Sequence, residues 1–206
     1  MKIDRAGWPF VLGASVPAVL LGPVLPWLAA AFAAVAVFMV FFFRDPERMV
    51  PDDADAVVSP ADGRVLVAGA AEASSAPPGD WQQISIFLSP LDVHINRIPI
   101  GGRVARVEYT PGRFLAAYRP ESARVNERND VWIEHAGASL VCRQVVGVLA
   151  RRLVCRVVPG AAVRTGERFG LMKFGSRIDL YLPPHATLRA AAGDRVRGGE
   201  TVVATW

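Results

Sequence analysis

Two side chains in this sequence have types and placements suited to nucleophilic and proton-transfer chemistry, Ser176 and His94. Ser176 follows Gly175 in Lys173-Phe174-Gly175-Ser176-Arg177-Ile178-Asp179-Leu180-Tyr181-Leu182-Pro183. Glycine lets the backbone bend at that point, and a hydroxyl directly after it can reach the preceding carbonyl. A serine hydroxyl needs a base before it can attack a carbonyl, and histidine is the usual group titrating near neutral pH. The chain has three histidines, His94, His135 and His185. His94, in Ser89-Pro90-Leu91-Asp92-Val93-His94, sits between two predicted strands and is the candidate base. His135 ends a predicted strand, and His185 follows Pro183-Pro184 in a turn.

A base of this kind is commonly oriented by a carboxylate. Asp62, in Ser59-Pro60-Ala61-Asp62-Gly63-Arg64-Val65, and Asp92, two residues before His94, are the candidates. By itself Asp62-Gly63 reads as a turn pair. Asp92 and His94 would share one face of a strand.

The segments that must position these groups are short, strand-like runs separated by Gly, Pro and Asp: 57–69, 81–89, 94–110, 130–136, 139–149, 151–158, 177–183 and 201–206. They predict a mostly β domain of sandwich or barrel type. Residues 113–129 read as a long loop or short helix of the sort that often serves as a binding loop. The ending Gly193-Asp194-Arg195-Val196-Arg197-Gly198-Gly199-Glu200, with Ser59 to Val65, resembles the turn-and-strand pattern of biotinyl/lipoyl-type, barrel-sandwich-hybrid domains. That similarity bears on architecture alone, because neither lysine sits at the hairpin tip a carrier domain requires.

Residues 8–43 carry no charged side chain, which accounts for much of the 52% hydrophobic composition. They divide at Gly22-Pro23 and Pro26 into two apolar stretches, against the ~20 helical residues a bilayer crossing needs. Two arrangements remain open, a helical hairpin anchor and a single kinked crossing helix. Lys2, Arg5, Arg44 and Arg48 flank the segment and place both outer ends on the cytoplasmic side of the cell membrane in the hairpin arrangement. The Pro-broken stretch has no small-residue cleavage site after it, unlike a signal peptide. The expected organisation is an anchor over 1–44, a linker over 45–56 and a catalytic β domain over 57–206.

The formal net charge is +4, and of 23 basic residues only Lys2 and Lys173 are lysines. Arginine forks suit phosphate and carboxylate groups. The absence of a basic run with interleaved aromatics argues against nucleic acid as partner. Cys142 and Cys155 are too few for a disulfide framework.

Three blocks together carry a family resemblance: Phe42 to Val65 (FFRDPER…VVSPADGRV), Phe87 to Gly102 (FLSPLDVHINRIPIGG) and Gly166 to Pro183 (GERFGLMKFGSRIDLYLP). In this order they resemble phosphatidylserine decarboxylase proenzymes of the short form. The resemblance implies autocatalytic cleavage between Gly175 and Ser176, giving a β chain of residues 1–175 and an α chain of residues 176–206. It implies a pyruvoyl cofactor derived from Ser176, with no pyridoxal phosphate and no metal. The substrate would be a membrane phospholipid, phosphatidylserine, decarboxylated to phosphatidylethanolamine. It also implies that Asp62 is the carboxylate partner of His94. Longer members carry a second histidine where this chain has Arg97, so Arg97, with Asp92, becomes a candidate for substrate or proton-path contact. Assembly into a homo-oligomer stays open. Two other classes fit parts of the sequence: a membrane-anchored Ser/Lys protease using Ser176 and Lys173, and a non-enzymatic membrane adaptor with a lipoyl-like domain. Neither explains the three blocks together.

Overall fold

The computed structural model describes residues 2–148, 153–173 and 176–206, and the chain divides into two compact units, Met1–Glu47 and Arg48–Trp206.

In the first unit, strand β1 (Lys2–Ile3) leads through a single helical turn into helix α1 (Trp8–Leu21). Helix α2 (Pro26–Phe42) runs into strand β2 (Arg44–Asp45). Proline sits in the first turn of both helices, where its missing N–H costs no hydrogen bond. The helices pack against each other across a turn at Gly22–Leu25. Their outer ends are tied together by antiparallel pairing of Lys2 with Asp45 and Ile3 with Arg44. The Asp4 carboxylate accepts from the Ala6 amide at 2.9 Å, and the Asp4 amide donates to the Phe43 carbonyl at 2.9 Å. Gly7 is required there: a Cβ would lie 2.4 Å from the Phe43 ring.

Of the two arrangements open for residues 8–43, the structure shows two helices and not one kinked helix. Among the described residues no helix is long and apolar enough to cross a membrane. The helices have 14 and 17 residues, so at 1.5 Å per residue they extend about 21 and 26 Å, short of a ~30 Å hydrocarbon core. Gly22-Pro23 and Pro26 divide the stretch into these two short helices.

The second unit is mostly β and is built on a curled, half-barrel sheet. Its elements are β3 (Ala56–Val58), β4 (Gly63–Ala70), β5 (Gln82–Leu88), β6 (Ile95–Arg97), β7 (Gly102–Thr110), helix α3 (Ser122–Val125), β8 (Arg128–His135), β9 (Ala138–Val145), β10 (Leu153–Cys155), β11 (Ala162–Val163), β12 (Arg168–Met172), β13 (Ser176–Leu182), β14 (Thr187–Leu188), β15 (Arg195–Val196) and β16 (Val202–Thr205). The large sheet runs β11-β7-β8-β9-β13-β5-β4-β15, with two smaller sheets, β10-β12-β6 and β14-β16-β3.

β13 lies inside the large sheet, antiparallel to β5 on one side and β9 on the other, and all seven of its residues are buried. Side chains alternate across a strand. Ile178, Leu180 and Leu182 join the main core with Ile84, Ile86, Leu88, Leu140, Cys142 and Met172. Arg177, Asp179 and Tyr181 take the opposite face, which is also buried. Charges survive there because each has a partner. Arg177 donates to Asp179 at 2.6 Å and to the Ser85 hydroxyl at 2.8 Å. Arg143 holds Asp130 through two bonds of 2.6 and 2.7 Å. Burial pushes the Tyr181 phenol above its ordinary range, and the neighbouring Asp179 carboxylate adds to the rise.

Asp62-Gly63 forms the entry to β4, where the chain passes directly over β5. A Cβ on Gly63 would sit 2.1 Å from the Phe87 carbonyl oxygen, a backbone atom that cannot swing aside. Gly63→Ala is therefore expected to cost at least ~2 kcal/mol. Thermal denaturation should show this as a fall in Tm of about 4–8 °C.

Candidate active site

Ser176 opens β13, its Cα paired with Leu88 at the end of β5. It shares the core-facing side of the strand with Ile178 and is fully buried. Its hydroxyl Oγ has no hydrogen-bond partner among the described residues. A buried hydroxyl without a partner gives up stabilisation that a structural serine would keep. Gly175, on the other side of the expected scissile bond, lies outside the described residues, as do Phe174 and the pair Arg151-Arg152.

His94 reaches the same region through the backbone. The turn Ser89–Asp92 follows directly from Leu88, the residue opposite Ser176, and ends at His94. The Met172 amide donates to the His94 carbonyl at 3.3 Å, at the end of the β12–β6 pairing. The chain around His94 thus runs from the partner of Ser176 to the partner of the strand that precedes the Gly175–Ser176 bond. His94 is itself fully buried.

The histidine tautomer follows from its neighbour. Nδ1 lies 2.9 Å from the Asp92 carbonyl oxygen, which can only accept. Nδ1 therefore carries the proton, and the neutral ring presents its lone pair at Nε2, the form a general base requires. Asp92 holds the turn that makes this possible: its carboxylate accepts from the Ser89 amide at 2.8 Å, and its amide donates to the Ser89 carbonyl at 2.9 Å. An outer contact joins the same carboxylate to Arg195 at 3.6 Å.

Asp62 is fixed by a different group, one that sequence reasoning did not single out. Arg48 Nη2 donates to both of its carboxylate oxygens, at 2.7 and 2.9 Å, and Arg48 Nη1 lies 3.3 Å from Glu200. The Gly198 amide completes the set at 2.8 Å. Arg48 opens the β unit, so the residues expected to be a solvated linker begin with a buried guanidinium clamp. Arg97 is likewise held in place: its guanidinium donates to the Gly166 carbonyl at 3.0 Å and its amide to Pro60 at 2.9 Å. Lys173 follows the end of β12.

Sequence reasoning also missed a buried amide chain. Asn129 Nδ2 donates to Gln144 Oε1 at 3.2 Å, and Gln144 Nε2 donates to Asn96 Oδ1 at 2.8 Å and to the Val154 carbonyl at 3.3 Å. The Val154 carbonyl fixes which end of Gln144 is the amine, and this in turn fixes Asn96 with Oδ1 inward. Asn96 Nδ2 has no partner among the described residues, leaving a buried donor two residues along from His94 and on the same face of the strand. Gln144 stands opposite Ile178, two residues from Ser176. Gly170 makes room for this chain, since a Cβ would lie 2.7 Å from Gln144 Nε2. In the sequence the only trace is polar residues at alternate positions of strands otherwise made of Val, Ile and Leu. Among the described residues no cluster of His, Cys, Asp or Glu could hold a metal ion.

On the far side of β13 a cleft of about 270 Å³ is lined by Leu66, Val67, Gln83, Tyr118 and Arg177, among others. It opens one residue from Ser176 but on the opposite face of the sheet.

Ser176 Oγ is buried with no hydrogen-bond partner among the described residues, and the segment that carries His94 is joined by strand pairing to the strands on either side of it. The family model of phosphatidylserine decarboxylase matches residues 35–204. The phosphatidylserine decarboxylase proenzyme of Nitrosomonas europaea is 41% identical over 204 residues, covering 98% of this chain and 94% of that protein. The proenzyme of Geotalea uraniireducens is 45% identical over 98% of this chain and 95% of its own length. That of Desulfotalea psychrophila is 39% identical over 98% and 96%. The chain belongs to the phosphatidylserine decarboxylase family.

The clamp on Asp62 gives a direct test. Asp62→Asn and Arg48→Met should each lower stability by about 2 kcal/mol, because each leaves a largely buried charge short of a partner. The double variant should cost clearly less than the sum, with a coupling of at least ~1 kcal/mol in chemical denaturation.

Proposed function

We propose that this chain decarboxylates phosphatidylserine to phosphatidylethanolamine with a pyruvoyl group that it makes from Ser176. The observation that carries the reading is the fully buried Ser176 Oγ without a hydrogen-bond partner among the described residues, at the head of the central strand. The proenzyme names of the relatives support the same conclusion.

The chemistry follows from the residues in place. His94 Nε2 takes the proton of Ser176 Oγ as that oxygen attacks the Gly175 carbonyl carbon. The C–N bond between the two residues breaks, the proton passes to the nitrogen, and an ester replaces the amide. Removal of the Ser176 Cα proton then expels the Gly175 carboxylate and leaves a dehydroalanine at the new terminus. Addition of water and loss of ammonia convert that end into a keto acyl group. Asp62, fixed by Arg48 and Gly198, is the carboxylate that the family resemblance assigns to this histidine.

The site suits such a group. Leu88, Ile178 and Met172 bring apolar side chains to the core of which Ser176 is part, and burial there keeps bulk water away. The pyruvoyl carbonyl supplies an electron sink for the pair released when the substrate carboxylate leaves as CO2. His94 Nε2 then returns a proton to the substrate α-carbon. Asn96 and Arg97, held on the strand that follows, keep that segment and its histidine in register.

The α chain, residues 176–206, would remain seated after cleavage. β13 is bonded on both sides, β15 pairs with β4 and β16 with β3. The β16–β3 pairing and the 193–199 turn also support a barrel-sandwich-hybrid type of architecture for this unit.

The helix pair of residues 1–47 serves in this reading to hold the enzyme at the cytoplasmic face of the cell membrane. Both helices are apolar all round, and Trp8, Val19, Leu20, Trp27 and Val37 are exposed. Joined ends and short helices suit insertion into one leaflet and return to the same side. A diacyl substrate is held in the bilayer by ~0.8 kcal/mol per methylene, which favours an enzyme working at the interface.

Intact-mass measurement on the purified protein should show two fragments divided after Gly175, the smaller lacking an amine at its N-terminus. They should co-elute without denaturant. Ser176→Ala should remain a single chain with no decarboxylase activity, and His94→Gln should slow cleavage by a factor of at least ~100. Full activity in an uncut wild-type chain would overturn the proposal.

A further inference from the structure

Exposed apolar residues scattered singly over a protein need no explanation. In the β unit, however, four of them are tied by strand register to one place. Leu91, 66% exposed, lies in the turn directly after Leu88, the partner of Ser176. Val148, 54% exposed, lies three residues past Val145, the partner of Arg177. Tyr118, 61% exposed, stacks edge-on against Phe87 with 6.0 Å between ring centres, and Phe87 is the other partner of Arg177. Phe114, 38% exposed, precedes Leu115, whose amide and carbonyl are both held by the Asn126 side chain at 2.9 and 2.8 Å. The same side chain donates to the Val146 carbonyl at 2.8 Å. All four therefore border the end of β13 that carries the nucleophile.

The charge at this rim has one dominant sign. The loop from Pro111 to Arg128 carries Arg113, Arg119, Arg124 and Arg128 against Glu121 and Glu127, and the first three arginines are exposed. Aromatic and aliphatic tips interleaved with guanidinium groups match the boundary between lipid headgroups and acyl chains, where apolar bodies can enter and cations meet anionic phosphates.

We infer that the Ser176 end of the β unit, rimmed by Leu91, Phe114, Tyr118 and Val148 with Arg113 and Arg119, is itself a docking surface for an anionic phospholipid bilayer. This rests on the proposed function, since a lipid substrate explains why exposed apolar residues and arginines gather at the end of the strand that carries the nucleophile. It adds to that reading a membrane contact made by residues of the catalytic unit itself. The occupant is the bilayer that contains the substrate, because the rim joins positive charge to apolar tips at the entrance such a lipid would use.

The test uses the full-length protein. An environment-sensitive fluorophore is placed on Tyr118→Cys, or in a second preparation on Val148→Cys, each in a Cys155→Ser background so that the label goes to one site. Vesicles of phosphatidylserine in phosphatidylcholine should shift the probe's emission to the blue. Pure phosphatidylcholine should produce a much smaller shift, and Arg113→Gln/Arg119→Gln should remove most of the difference. A probe that stays in water with both vesicle types overturns the inference. So does one that shifts with protein concentration in the absence of vesicles, which would assign the rim to a second copy of the chain. These readouts do not depend on turnover, so a protein that docks without decarboxylating would count against the proposed activity and leave the docking surface standing. In the activity arm, Tyr118→Ser/Val148→Ser should lose about tenfold on dilute vesicle substrate while keeping its rate on monomeric short-chain phosphatidylserine. Equal loss on both substrates would show that the rim belongs to the reaction site and would overturn its assignment to the bilayer.

Discussion

The constraint behind this structure is that the strand carrying the nucleophile is held on both edges and buried on both faces. β13 shares hydrogen bonds with β5 and β9, and its seven residues alternate between the aliphatic core and a layer of paired charges. A strand so enclosed cannot shift its register by one residue, because the shift would drive Arg177 and Asp179 into the core and expose Ile178 and Leu180 to the opposite layer. The position of Ser176 is therefore set by the whole sheet. A serine that must attack its own preceding carbonyl benefits from this, since reaction between neighbouring groups depends on orientation more than on encounter.

The same enclosure explains why the polar residues are so thoroughly partnered. Asp130 with Arg143, Asp179 with Arg177, and Asp62 with Arg48 each pair a carboxylate with a guanidinium inside or at the edge of the fold. A fixed, planar guanidinium can satisfy a carboxylate while both lose water, which a flexible ammonium does less well. A chain with 23 basic residues of which only Lys2 and Lys173 are lysines is suited to such pairs, although its exposed arginines need another explanation. Ser176 Oγ and Asn96 Nδ2 are among the buried side-chain atoms left without a hydrogen-bond partner among the described residues, as are Arg48 Nε and Asp179 Oδ2 within those pairs.

Much of this was legible in the sequence, to different depths. Short Val/Ile/Leu runs between Gly, Pro and Asp gave the mostly β unit, and the break at Gly22-Pro23 gave the two N-terminal helices. Ser176 and His94 are singled out because each lies in a block that resembles the family, since a Gly-Ser pair alone is an ordinary loop dipeptide. What stayed hidden was pairing between distant segments. Nothing local marks Arg48 as the partner of Asp62 or Gln144 as the partner of Asn96, because those contacts exist only once strands are in register. The choice between a hairpin and a single helix was hidden for a related reason: hydropathy measures how apolar a stretch is, while the length of unbroken helix was set by the prolines.

Asp62 shows how a motif can identify a residue without revealing its setting. By sequence it is a turn residue, and by resemblance the partner of a histidine. In the structure its carboxylate accepts from Arg48 and from the Gly198 amide, while the orientation of His94 is set at Nδ1 by the Asp92 carbonyl. The tautomer of His94 is thus chosen by a backbone oxygen, while the Asp62 carboxylate is occupied by a guanidinium and a backbone amide. The clamp also links residue 48, in the expected β chain, to Asp62 of the same chain and Glu200 of the expected α chain. The Asp62 carboxylate is thereby fixed by an arginine that also reaches across the expected division between the two chains.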